Sequence, residues 1–132
     1  MKTSRLDIVE FDSNILKSNP LGDPTKRKVY VYVPKMENTP AKLPALLALV
    51  GFTGTGASLF NVDPFTEDLK ARMDRLIEEK KCPPALIVAP DCFNRVGGSQ
   101  YINSTAIGNY EDYLLKEILP FIEKSYPVSK WG

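Results

Sequence analysis

The run Leu46-Leu47-Ala48-Leu49-Val50-Gly51-Phe52-Thr53-Gly54-Thr55-Gly56-Ala57-Ser58 constrains this chain more than any other stretch. Its first five residues are apolar without a polar break, the pattern of a strand buried on both faces, as in a parallel sheet. Three glycines follow at spacings of three and two, so the backbone turns sharply where that strand ends. In open parallel sheets ligands bind beyond the carboxyl ends of the strands. A loop with little side-chain bulk at that place can aim its N–H groups at a phosphate or at an oxyanion.

The phosphate reading is the weaker of the two. A P-loop requires Lys and Ser/Thr directly after its last glycine, and Ala57-Ser58 supplies no lysine. The dinucleotide fingerprint spaces its glycines two and then three apart, and here the order is reversed. A merely tight turn and an oxyanion-binding loop remain open.

The rest of the chain supplies a frame for this element. Leu6, Ile8 and Phe11 suggest a first strand, and residues 18–26, with Pro20, Gly22 and Pro24, a loop. Lys28-Val29-Tyr30-Val31-Tyr32-Val33 is a strand stopped by Pro34. Residues 36–44 form a connection to the strand at 45–50. Asp63-Pro64 has the form of a helix N-cap followed by proline at N1, and Phe65, Leu69, Met73, Leu76 and Ile77 recur at helical spacing up to Lys81. Pro83-Pro84 then opens a continuously apolar strand at 85–89. A loop rich in Asn, Gly and Ser covers 90–108. Asn109 is placed to cap a last helix with Asp112 at N3, its core face is Tyr113, Leu114, Ile118, Phe121 and Ile122, and Pro120 is expected to kink it. The order is an antiparallel start feeding a parallel α/β unit, and Lys130-Trp131-Gly132 stands where a further strand is expected.

Composition excludes several classes of function. With 17 Lys and Arg against 16 Asp and Glu, interspersed, the net charge is +1 and offers no field for nucleic acid or a membrane surface. No apolar run approaches the roughly 18 residues of a membrane span. Residues 1–8 lack the apolar core of a signal peptide, which points to the cytoplasm. Cys82 and Cys92 bracket the strand at 85–89 and therefore stand too far apart for a disulfide, which needs Cα atoms within about 7 Å. The chain contains no histidine, so neither thiol nor any serine has an imidazole base.

Gly97-Gly98-Ser99-Gln100-Tyr101 nearly matches the nucleophile elbow G-x-S-x-G, but Tyr101 fills the position that needs a small residue, and the motif lies mid-loop rather than at a strand–helix corner. Asn103-Ser104-Thr105 is a glycosylation sequon, idle in a chain without a secretion signal. Asp91, Asn94, Arg95, Gln100, Tyr101 and Asn103 form a polar cluster after the strand at 85–89. A solvated loop is the plain reading of that cluster, but it leaves the same sheet edge as the glycine loop, where residues line whatever crevice exists.

Taken together, the strand at 46–50 with Gly51-Phe52-Thr53-Gly54, the segment Val88-Ala89-Pro90-Asp91 through Asn94-Arg95-Val96-Gly97-Gly98-Ser99, and Tyr101-Ile102-Asn103-Ser104 with Gly108-Asn109-Tyr110-Glu111-Asp112 resemble the esterase family of the α/β-hydrolase superfamily that includes S-formylglutathione hydrolase and feruloyl esterases. The similarity runs in order over residues 28–132. It implies an α/β fold, a mostly parallel sheet with flanking helices, and ester hydrolysis by a Ser-His-Asp triad without a cofactor or metal. It further implies an oxyanion hole at the backbone N–H of Phe52, next to Gly51, with Val50 where the family commonly has histidine. Thr53, Asn94, Arg95, Tyr101, Asn103 and Ser104 would line the pocket of a small carboxylic ester.

The family's elbow begins soon after a segment like Tyr126-Pro127-Val128-Ser129-Lys130-Trp131-Gly132, so residues 1–132 correspond to the N-terminal part of a single α/β-hydrolase domain, ending before the nucleophile strand, with the whole triad beyond. The expected partner is the C-terminal half of the hydrolase, or a second copy pairing along the open sheet edge at 45–50, because the nucleophile strand pairs beside that strand in the α/β-hydrolase order. A non-catalytic interaction or regulatory module of the same fold, and a small nucleotide-binding domain, are the alternative functions.

Overall fold

The computed structural model describes residues 4–35, 42–49, 60, 67–92, 101, 103–105 and 108–128. Four strands, β1 (Arg5–Asp12), β2 (Lys26–Val33), β3 (Ala45–Leu47) and β4 (Leu86–Pro90), form one sheet in the order β1-β2-β4-β3. β1 and β2 are antiparallel, β2 and β4 are antiparallel, and β3 runs parallel to β4, with Ala45 opposite Leu86 and Leu47 opposite Val88. The antiparallel start and the parallel unit expected from the sequence are both present. The ladder continues past β3 through the bond from the Ala48 N–H to the Val88 carbonyl, 2.8 Å.

Alternation along β2 and β4 divides the core between the two faces of the sheet. Val29, Val31, Val33, Leu86 and Val88 face one side, with Leu16 and the C-terminal helical run; Tyr32, Ile87 and Ala89 face the other, with Phe60 and α1 (Leu69–Glu78). Every residue of β4 is buried, as a continuously apolar run between covered faces requires. Helix α1 presents Leu69, Met73 and Ile77, at i, i+4 and i+8, to its side of the sheet. The Tyr32 hydroxyl ties the two layers by donating to Asp74, 2.6 Å. The N-cap of α1 is Asp68, whose carboxylate accepts the Ala71 N–H at 2.8 Å. Asp68 is extended, so the described helix begins there, whereas the sequence pattern placed the cap at Asp63, outside the described residues.

The C-terminal run is continuous but changes pitch, from α2 (Tyr110–Asp112) through a π-helical stretch (Tyr113–Ile118) to α3 (Leu119–Ser125). Pro120 accounts for the change. It has no N–H for the carbonyl four residues back, and its ring crowds that carbonyl, so the turn before it widens. Tyr113, Leu114, Ile118 and Ile122 are buried and Phe121 packs against them, the core face read from the sequence. Glu117, within the π stretch, accepts from the Ser13 hydroxyl and from the N–H groups of Asn14 (3.0 Å) and Ile15 (3.3 Å), fixing the 3-10 turn Ile15–Ser18 against the helix. Among the described residues no helix is long and apolar enough to cross a membrane. Cys82 and Cys92 are free thiols.

Candidate active site

Because β3 and β4 are parallel, their carboxyl ends issue from one edge of the sheet. The described residues that follow them, Ala48-Leu49 and Asp91-Cys92, leave the sheet there, and in the sequence the glycine motif comes after the first pair and the rest of the polar segment after the second. Gly51, Phe52, Thr53, Asn94 and Arg95, and with them the aim of the Phe52 N–H, lie outside the described residues, as does Ser99.

Tyr101, Asn103 and Ser104 are described. Tyr101 is half-buried against the main core and has a φ of 60°, a left-handed conformation that a bulky residue adopts only under constraint from its surroundings. Asn103 and Ser104 form β5 (Asn103–Ser104), paired antiparallel with β6 (Gly108–Asn109), a two-rung hairpin inside the segment the sequence presents as a loop. Gly108 has a φ of 140°, and a Cβ there would lie 3.1 Å from the Asn19 Cβ and 3.2 Å from the Tyr110 ring, so only glycine brings the hairpin this close to the helix start.

Asn103 holds the start of α2. Its side-chain oxygen accepts the Asp112 N–H at 3.0 Å. Asn109, which the sequence offered as the cap, occupies the N-cap position but makes no side-chain cap bond. The Asn103 amide beside Asp112, with Lys116 adding a smaller share, also holds the Asp112 carboxyl below its ordinary value. Asn103→Ala is therefore expected to cost about 1 kcal/mol, the usual value of a side-chain cap, whereas Asn109→Ala costs a few tenths at most. Urea unfolding of the two variants separates them.

At the start of α2 lies a buried polar cluster. Arg27 is only 3% exposed. Its Nη2 donates to the Tyr110 hydroxyl at 2.8 Å, and its Nη1 lies 3.7 Å from an Asp91 carboxylate oxygen. Cys92 and Tyr113 border the same cluster, and among the described residues the buried Tyr113 hydroxyl has no hydrogen-bond partner. Burial pushes the Cys92 thiol up to about 12, the nearby Arg27 charge offsetting part of that rise, so it is an inert thiol at neutral pH. Asp91 belonged to the polar cluster read from sequence; Arg27 did not, although it is in phase with Val29, Val31 and Val33 on the buried face of β2.

Residues 18–132 match the family described as “Putative esterase”. The chain belongs to this esterase family. No curated protein sequence is similar enough to count as a match. Among solved structures, this esterase-family chain is similar to a ferulic acid esterase (26% identity, TM-score 0.74, covering 97% of this chain and 46% of that one). It is also similar to an S-formylglutathione hydrolase from Agrobacterium tumefaciens (18%, TM-score 0.70, 98% and 47%). A third likeness is to a feruloyl esterase module from Clostridium thermocellum complexed with sinapinate (17%, TM-score 0.70, 96% and 38%). The fold is that of the α/β-hydrolase esterases, a mixed sheet with flanking helices, and the chain spans about half the length of these relatives or less.

Proposed function

We propose that residues 1–132 are the N-terminal part of a single α/β-hydrolase domain that hydrolyses small carboxylic esters. One observation supports this reading: β3 and β4 are adjacent and parallel, and the glycine motif and the polar segment follow them in sequence, the order by which an esterase of this family would bring its oxyanion hole and acyl pocket side by side. A serine, activated by histidine, attacks the ester carbonyl, and the Phe52 N–H, next to Gly51, stabilises the tetrahedral oxyanion. Thr53, Asn94, Arg95, Tyr101 and Ser104 line the pocket, with Asn103 fixing the hairpin that carries Ser104. The constraint on Tyr101, a left-handed bulky residue, supports a role there. No cofactor takes part. Serine, acid and histidine come from the C-terminal half, since the chain itself has no histidine.

That half docks on the side of β3 turned away from β4, where among the described residues no strand pairs with it. The Pro44 carbonyl and the Ala48 N–H face β4, so by alternation Leu43, Ala45 and Leu47 direct their backbone groups the other way. Leu43 already donates to the Pro127 carbonyl at 2.8 Å in a parallel bridge with Val128. The polypeptide is thus delivered to the free edge in the direction a further parallel strand requires, which supports pairing there.

The test is Phe52→Pro in the whole hydrolase. Proline removes the N–H, and kcat should fall about 10²–10³-fold, the usual cost of one oxyanion donor, while Phe52→Ala keeps the donor and most of the activity. A folded Phe52→Pro enzyme as active as Phe52→Ala sinks the oxyanion assignment. Residues 1–132 alone should not hydrolyse short p-nitrophenyl or feruloyl esters above background.

A further inference from the structure

Among the described residues Arg27 touches the chain at Asp91 and Tyr110, two places that are distant in sequence and decisive in position. Asp91 is the first residue beyond β4, held to the sheet by its N–H bond to the Lys28 carbonyl at 3.0 Å. Tyr110 is the first residue of α2, directly after β6. Residues 92–109, including the hairpin with Asn103 and Ser104, run between them. The Arg27 guanidinium lies 3.7 Å from Asp91, donates to the Tyr110 hydroxyl at 2.8 Å and has its central carbon 5.6 Å from the centroid of the same ring. Tyr110 is fully buried, so its ring cannot follow a displaced hairpin without opening the core.

We propose that Arg27 is the positioning residue of this site: by joining Asp91 to Tyr110 it sets where hairpin β5–β6 stands relative to the carboxyl ends of β3 and β4. The importance of that placement for ester binding rests on the function proposed above; the placement itself does not. A guanidinium suits the task because it is planar and offers several donors in fixed directions, so one side chain can face a carboxylate and a phenol together. A lysine ammonium brings the charge but not the fork. A buried arginine is costly unless its charge is met, and an apolar residue in phase with Val29 and Val31 would fill the space at less risk. These two contacts are ones that an apolar side chain would not make.

The rival view is that Arg27 and Asp91 form an ordinary stabilising pair with no special hold on the hairpin. Tyr110→Phe, which removes one oxygen and keeps the ring, separates the two, with Arg27→Lys as the companion variant. Amide hydrogen exchange, read by mass spectrometry on residues 103–112 and on sheet residues 28–33 and 86–90, is the measurement. Loss of a hydrogen bond to a charged group should speed exchange in 103–112 about tenfold or more while the sheet peptides change less than about twofold. Arg27→Lys should resemble Tyr110→Phe. In the whole hydrolase, Tyr110→Phe should raise KM for a short aryl ester about tenfold, with kcat within about twofold of the parent. Equal acceleration in hairpin and sheet, or none in either, overturns the proposal. Faster exchange confined to the hairpin with an unchanged KM keeps Arg27 as its anchor and removes the hairpin from ester binding. A parent hydrolase without esterase activity defeats the functional reading alone, because exchange still decides the role of Arg27.

Discussion

Raising the pH from about 9 to about 11 is expected to destabilise this fold strongly, and Cys92 begins the process. The Cys92 thiol is pushed from an ordinary value of 9.0 up to about 12, first by burial, with Arg27 opposing and Asp91 adding. Between these values the folded chain keeps a proton that the unfolded chain has released. The unfolded state then binds fewer protons, so stability falls as pH rises. The contribution is whole below about pH 9 and is lost progressively towards 12. Tyr113 follows: burial raises its hydroxyl above the ordinary 10.0, and a Cys92 thiolate would raise it further. Tyr126 is pushed up to about 12 by burial and by its bond to Asp7, but it is only half-buried and solvent screening reduces its share.

Each fully buried group of this kind contributes a slope of roughly 1 kcal/mol per pH unit. Against the 5–15 kcal/mol typical of a domain, Cys92 and Tyr113 together remove a large part of the stability within about two units. The check is a series of urea unfolding curves from pH 7 to 11 in dilute solution with reductant, followed by far-UV circular dichroism. Cys92→Ala should flatten the profile most between about pH 8.5 and 9.5, where an unfolded thiol ionises but most unfolded phenols, with ordinary values near 10, do not. A parent profile already flat there would show that the thiol is solvated.

The strands were the legible part of this chain because burial leaves little room for polar residues: all of β4 is buried, as are Val29, Val31, Tyr32 and Val33 of β2. Residues 28–33 and 85–89 therefore announce themselves, and their structural counterparts differ by a residue or two at the ends. Helix starts were less legible for a definite reason: Asp63 and Asp68 have the same side chain, and only the hydrogen bond to Ala71 shows which one caps the described helix. The cap of the last helix was hidden more deeply. Asn109 stands in the right place by local spacing, but the bond to Asp112 comes from Asn103, across a hairpin of two rungs too short to leave a period in the sequence. Pro120 was visible as a disturbance, but not the widened turn by which the helix accommodates it.

The same contrast runs through the candidate site. Parallel strands ending in a glycine motif and a polar segment could be read from composition and order, and their shared edge follows from the register of β3 on β4. The buried polar cluster was missed because Arg27 sits between Lys26 and Lys28, where a charge looks like solvated surface. Its phase was the available signal: in a two-residue repeat it shares a face with three buried valines. A charged residue on the buried face of a strand implies a partner from elsewhere in the chain, and here Asp91 and Tyr110 answer it.

The free edge of β3 yields the last expected result: residues 1–132, prepared alone, should associate, and Leu46→Lys with Leu49→Lys should return them to monomers. Among the described residues β3 is hydrogen-bonded along its length to β4 only. Leu46 is 57% exposed and Leu49 44% exposed, and by alternation they flank the edge on opposite faces of the sheet. An apolar strand with open backbone groups is a template for another strand, and natural edges are protected by charge, proline or bulges. This one has Pro44 before it and no charged side chain between Ala45 and Leu49. On the function proposed above, a C-terminal half would cover the edge in the whole hydrolase; in its absence a second copy is the available partner. Two lysines supply the missing protection while leaving the hydrogen bonds to β4 untouched, so the fold survives and pairing does not. Light scattering coupled to size exclusion decides the matter. The parent chain should elute above 14.7 kDa and the double variant at that mass. In the whole hydrolase the same pair of lysines should lower the unfolding temperature and esterase activity together, since the docked half would lose its seat. A parent chain that runs as a monodisperse 14.7 kDa monomer would show that this edge needs no partner.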